Sequence, residues 1–334
     1  MNEFKNILDK FKELDYGGSQ QDRFAVISIE GLSHRLGRSV EGFPKFFVHT
    51  NNSASTVQNV IREILSVEYN VPCELVDNDG TKQKDCFSII TLRTQETALQ
   101  AYFIEIFSMM LKKMPETPSR RELSIEVENL ITIFSALSNP PKKKIQGLWS
   151  ELLVIEQSSH PETLINAWHS SPTAKYDFTM GRDKIEVKST ASEERIHTFS
   201  LDQLNPSPNS RLLIASTIVR ESAKAADGLS VKDLYNKICE KVTAINSRLR
   251  LYTVIAETIG TDLVKLEDIY FDYTSAVDYL SFYDATEVPH IDKASVPEFV
   301  TEVKFASDLS HLTDVRSPES HYNYSDSPLF KSLL

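Results

Sequence analysis

The chain is 334 residues long, 41% hydrophobic and 25% charged, and carries a net charge of −11. Those values are ordinary for a folded globular chain, argue against a free-standing nucleic-acid binder, and come with no apolar run near the ~20 residues that span a bilayer. Cys73, Cys86 and Cys239 are far apart and odd in number. They read as reduced core residues, and with no basic-then-apolar leader after Met1 the expectation is a cytoplasmic protein.

Residues 1–138 read as an N-terminal α+β domain. Phe24–Ile29, Phe46–His49 and Cys86–Leu92 have strand composition, and Asn78-Asp79-Gly80 is a turn signal. Thr94–Met114 and Ser124–Leu137 read as helices. Ser138-Asn139-Pro140-Pro141 breaks the chain, so a domain boundary is set there. Residues 142–158 then read as a helix, and 163–169, 175–180, 184–190 and 211–220 as strands. Ser230 is a plausible N-cap for a helix to about Arg250. Residues 139–230 form the second expected domain. Residues 231–334 are expected to be mostly helical, with a flexible tail from Ser317.

Within the middle segment, Asp177 is followed by Glu186-Val187-Lys188, with the polar turn Gly181-Arg182-Asp183 between them. Side chains alternate faces along a strand, so Glu186 and Lys188 point one way and Ile185 and Val187 the other. A hairpin closed at the turn brings Asp177 toward Glu186. Two carboxylates converging on one point suit Mg²⁺ or Mn²⁺, which take oxygen ligands. Such an ion lowers the pKa of a bound water, and a lysine beside it stabilises charge developing on a phosphate. Glu151 falls within the apolar arc of the helix containing Leu148, Leu152 and Ile155, where a carboxylate is costly unless it is paired or bound to metal.

Glu302-Val303-Lys304 repeats the tripeptide. It follows a capping-box pattern from Ser295, and Phe299, Val303 and Ala306 recur at helical spacing. On a helix, residues two apart diverge by about 200°, so this copy is set aside.

The set Gly147-Leu148-Trp149-Ser150-Glu151-Leu152, Trp168, Tyr176-Asp177-Phe178, Glu186-Val187-Lys188-Ser189-Thr190, His197 and Asp202-Gln203-Leu204 resembles the PD-(D/E)XK, or restriction endonuclease-like, nuclease superfamily. It is most similar to a bacterial PD-(D/E)XK motif family associated with restriction-type defence clusters. The resemblance is clearest over about 142–205. It implies an α/β fold with a restriction endonuclease-like αβββαβ core and Mg²⁺-dependent DNA cleavage. It assigns Asp177, Glu186 and Glu151 to metal binding, Lys188 to catalysis, and His197 and Gln203 to possible substrate contact. It also implies protein partners in a defence complex, and a symmetric double-strand cut would suggest a homodimer. Tyr176, not Pro, precedes Asp177. The alternative expectation is an inactive fold relative that binds DNA or serves as a structural subunit.

Charge is unevenly spread. Residues 139–230 are balanced, while the flanks are acidic. A DNA-cutting protein so charged needs a partner or a local basic patch. Lys142-Lys143-Lys144 reads as a solvated helix start, and Trp149 and Trp168 as core. There is no phosphate-binding glycine loop, no Cys/His zinc spacing, and no evident helix-turn-helix.

Overall fold

Asn78 to Gly80 turns the chain between two long strands, with Gly80 at φ 84°, a left-handed conformation that suits glycine. A computed structural model describes residues 3–14, 23–51, 57–169, 174–223 and 228–333. The chain divides into two compact units, 1–138 and 139–334.

The first unit holds α1 (Glu3–Glu13), β1 (Arg23–Ser28), β2 (Arg35–Arg38), β3 (Pro44–Val48), β4 (Val60–Ile61), β5 (Leu65–Asp77), β6 (Lys82–Leu92), α2 (Thr97–Lys113) and α3 (Arg120–Ala136). The sheet order is β1-β2-β3-β6-β5-β4, and β1 also pairs with β5 in parallel, so the ladder returns on itself. Phe46 on β3 meets Phe103 and Phe107 of α2 edge-on at 5.3 and 4.9 Å. All three rings are fully buried, each worth roughly 2–3 kcal/mol. The long strand β5 was not expected. Its buried Val67, Tyr69, Cys73 and Leu75 do alternate with the polar Glu68, Asn70 and Glu74, and a bulge falls between Glu68 and Val71.

The second unit opens with α4 (Ile145–Gln157) and α5 (Pro161–Ala167). It continues through β7 (Phe178–Met180), β8 (Asp183–Thr190), β9 (Ile196–Ser200), α6 (Leu201–Leu204) and β10 (Arg211–Ile218). Apart from the short α5, this is the α-β-β-β-α-β order that the resemblance implies. β8 lies between β7, antiparallel, and β10, parallel. The expected strand over 163–169 is instead α5: Pro161 at its first turn and Glu162 beside it are helix-start signals that outweigh the apolar run.

The chain goes on through β11 (Glu221–Ser222), β12 (Gly228–Leu229), α7 (Val231–Lys241), α8 (Ile245–Ile259), β13 (Tyr270–Asp272), α9 (Tyr273–Asp278), β14 (Ser281–Asp284), β15 (Lys304–Asp308) and α10 (Pro328–Lys331). Residues 231–334 are built into the sheets of the preceding segment, with β14 pairing β10 and β15 pairing β9. The helix expected from Ser230 does start there, with a capping box to Asp233, but extended Val242 divides it into α7 and α8. Gly260 ends α8 at φ 51°, where any Cβ would lie 2.0 Å from the Asn139 carbonyl oxygen.

Two further expectations fail. Glu302-Val303-Lys304 is not helical; Lys304 opens β15, and Phe305 packs against the cluster of Phe199, Leu204, Leu212 and Ile214. Strand pairing there overrides the helical spacing. The tail is not loose either. Leu329 and Phe330 are buried, and the Ser158 hydroxyl donates to the Ser332 carbonyl at 2.6 Å.

Candidate metal centre

The site grows from the β7–β8 hairpin. Gly181 and Arg182 close it as a two-residue turn, with Gly181 at φ 57°. The ladder pairs Met180 with Asp183 and Phe178 with Ile185. Extended by one residue, that register sets Asp177 opposite Glu186. The strand stops at Phe178, however, and the Asp177 carboxylate accepts directly from the Val187 amide at 2.8 Å. The backbone at 168–169 supports this end: Trp168 bridges Phe178, and the His169 amide donates to the Asp177 carbonyl at 2.8 Å.

Glu151 arrives from α4, which packs between β8 and α7 and is buried nearly all round. Its Oε2 accepts from the Trp168 indole at 2.7 Å and lies 2.9 Å from His169 Nε2. Trp149 and Trp168 are both fully buried, as expected of core residues. Only Trp168 also reaches the site.

Lys143 joins the two acids. Its ammonium donates to Glu151 Oε1 at 2.5 Å and to Asp177 Oδ1. The solvated-helix reading of Lys142–Lys144 thus fails at its middle residue. Lys144 is the N-cap of α4, so Lys143 stands just before the helix and turns inward.

Glu186 and Lys188 share a face, as strand alternation requires, with Nζ 2.9 Å from Oε1. Ile185 is buried on the other face, and Val187 is half-buried. Gln203 donates to Glu186 Oε1 at 2.5 Å and accepts at Oε1 from the Ser200 amide at 3.0 Å, completing the capping box of α6. Lys188 Nζ lies 3.4 Å from Gln203 Oε1 and 5.0 Å from the Phe199 ring centre. Gln203 therefore holds Glu186 and Lys188 from the side. His197 turns to Ser216, with Nε2 2.8 Å from its hydroxyl, and is 4% exposed.

Electrostatics at the centre are unbalanced. Glu151, Asp177 and Glu186 are 2, 4 and 5% exposed, and three carboxylates face two ammonium groups. Burial, then the Asp177 charge, pushes the Glu186 carboxyl up to about 8 against the pull of Lys188. Burial and the charge of Glu151 also raise Asp177. Burial opposes the charge on Glu151, yet the His169 hydrogen bond and the Lys143 charge hold its carboxyl below the usual range. Lys143 is raised despite burial, by Asp177 and then Glu151. Like charges brought together out of water cannot all stay ionised without more positive charge.

The donor set suits a divalent ion. The ligand atoms of Glu151, His169 and Asp177 all lie within 4.8 Å of one another, and a cationic side chain already sits between the two carboxylates. Two anionic oxygens and an imidazole are ordinary ligands of first-row divalent metals. Asp177 and Glu151 are thus brought together as the sequence reading requires, while Glu186 is engaged by Lys188 and Gln203. His169 and Lys143 were missed. A histidine eight residues before the acid and a lysine eight residues before Glu151 carry no strand or helix periodicity to mark them.

A basic patch adjoins the hairpin. Lys175 and Lys184 stand 5.0 and 6.0 Å from the centre of the Tyr176 ring. Burial lowers the Lys175 ammonium, and neighbouring Lys293 and Lys184 add to that while Asp202 opposes it.

A family model described as "Putative PD-(D/E)XK family member, (DUF4420)" matches residues 7–310. No curated protein and no solved structure matches the chain.

Proposed function

We propose, from the premise that the chain belongs to this PD-(D/E)XK family, that it is a metal-dependent endonuclease that hydrolyses phosphodiester bonds in DNA. The observation that carries the reading is the convergence of buried Asp177 and Glu151 on the Lys143 ammonium, beside the Glu186–Lys188 pair of the hairpin.

A divalent ion, Mg²⁺ or Mn²⁺, held by Asp177, Glu151 and Glu186 would supply a water of lowered pKa and offset charge gathering on the attacked phosphate. The remaining work falls to the side chains. Asp177 is fixed by the Val187 amide, so its other oxygen, the one that meets Lys143, keeps one direction. Gln203 holds Glu186, leaving Lys188 to donate a hydrogen bond to the attacking water or to a phosphate oxygen. Lys143, the cation that now joins the two carboxylates, would be free to turn its ammonium toward a phosphate oxygen if an ion took that place. Lys175 and Lys184 offer a basic surface beside the hairpin for the sugar–phosphate backbone.

In its setting we place the protein in the cytoplasm as the nuclease subunit of a restriction or anti-phage system, with partners supplying recognition and a second copy supplying the other strand's cut. Among the described residues, no helix is long and apolar enough to cross a membrane. The test is incubation with duplex DNA, single-stranded DNA and RNA of one sequence, with and without Mg²⁺ or Mn²⁺. Metal-dependent cutting of DNA supports the reading. Cutting of RNA alone contradicts the substrate, and failure to bind either metal contradicts the reaction.

A further inference from the structure

We propose that His169 is a direct ligand of this centre and that its imidazole nitrogen biases the site toward Mn²⁺ over Mg²⁺. This rests on the nuclease reading of the same acids and goes beyond it, because a set of oxygen donors alone would have no such bias.

His169 Nε2 lies 2.9 Å from Glu151 Oε2, and the Asp177 oxygen is within 4.8 Å of both. An ion with ligand bonds of about 2.1 Å draws its donors to within about 4.2 Å of one another. The trio needs only slight closing once Lys143 withdraws.

His169 has φ 40°, a left-handed conformation that costs a residue with a side chain on the order of 1 kcal/mol or more. It is held there from two sides. Its amide donates to the Asp177 carbonyl at 2.8 Å, and Arg250 donates to the Trp168 carbonyl at 2.6 Å. The hydrogen bond that fixes His169 therefore also fixes Asp177, so the two donors are placed as one piece.

The His169 side chain is 22% exposed, against 3 and 6% for Glu151 and Asp177. The imidazole stands on the solvent side of the trio, where an ion enters. The chemistry then sets the preference. First-row divalent ions, Mn²⁺ the weakest of them, bind an imidazole nitrogen, whereas Mg²⁺ is a hard ion that takes oxygen and retains its waters.

A histidine that merely hydrogen-bonds Glu151 would make the same contact without touching the ion, and the experiment separates the two. Mn²⁺ alone is titrated calorimetrically into wild type, His169→Ala and His169→Gln, and the Mn²⁺-loaded proteins are studied by pulsed electron paramagnetic resonance. The expected result is ¹⁴N modulation in wild type that is absent from both variants. Mn²⁺ affinity should fall about tenfold or more while Mg²⁺ affinity changes by less than about threefold. Mn²⁺ bound to wild type without nitrogen coupling, or coupling that survives in the variants, overturns the imidazole ligand and leaves the nuclease reading standing. A wild type that binds no Mn²⁺ overturns both.

Discussion

The Asp177 carboxylate accepts a 2.8 Å hydrogen bond from the Val187 amide, taking over a backbone donor at the point where the β7–β8 ladder stops. One side chain thus ends a strand pairing and ties itself to the strand carrying Glu186 and Lys188. Asp177→Asn keeps an oxygen for that amide but loses the charge. Its fold is expected to survive and its cleavage rate to fall at least about 100-fold. Asp177→Ala also strands the amide, so it should be less stable than the Asn variant by about 1–2 kcal/mol. Single-turnover cleavage and urea melts of the two variants check both parts.

Lys143 neutralises two buried acids, so Lys143→Met should destabilise the metal-free protein by about 2 kcal/mol. Mn²⁺ should then stabilise the variant more than it does wild type, because the ion no longer displaces an ammonium. Thermal melts in chelator and in Mn²⁺ measure this. An equal shift in both proteins would mean that Lys143 and the ion do not compete.

Lys175 and Lys184 over Tyr176 are expected to contact the sugar–phosphate backbone. In an Asp177→Asn background, replacing both with alanine should weaken DNA binding for any sequence. The slope of log affinity against log salt should flatten by about 1.5–2. An unchanged slope would move the binding surface elsewhere.

Each unit holds one buried histidine pushed down to about 4: His34 by burial, then His49 and Arg35, and His197 by burial, then Lys188 and Arg195. Both folded values lie below the ordinary 6.5, so the unfolded chain binds more protons between pH 6.5 and 4. Stability therefore falls as pH drops through that window. At pH 5 the loss is about 2 kcal/mol for each histidine. His34 Nδ1 accepts from the His49 amide at 3.3 Å, which requires its neutral ring. Denaturant melts at pH 7 and pH 5 should show the loss, and His34→Gln should flatten it for one of two transitions.

The parts of the site that follow a local period were legible in the chain. Glu186 and Lys188 obey strand alternation, Gly181-Arg182 closes the hairpin, and Glu151 stands out on a helix of apolar neighbours. What could not be read depends on tertiary placement. Lys143 looks like any solvated lysine until α4 is packed on β8. His169 becomes a neighbour of Glu151 only through the Trp168–Phe178 bridge. The Glu302–Lys304 segment shows the limit from the other side. Its helical spacing is real in the sequence, but β9 offers a partner strand and Phe305 a core to fill.

Metal-dependent cleavage at the Asp177–Lys188 hairpin can be read out by incubating purified protein with supercoiled plasmid and Mg²⁺ or Mn²⁺, wild type beside Asp177→Asn and Lys188→Ala. The expected result is metal-dependent nicking or linearisation by wild type, abolished by chelator and lost in both variants. Cleavage that persists in the two variants, or a wild type that neither cuts DNA nor binds either metal, would contradict it.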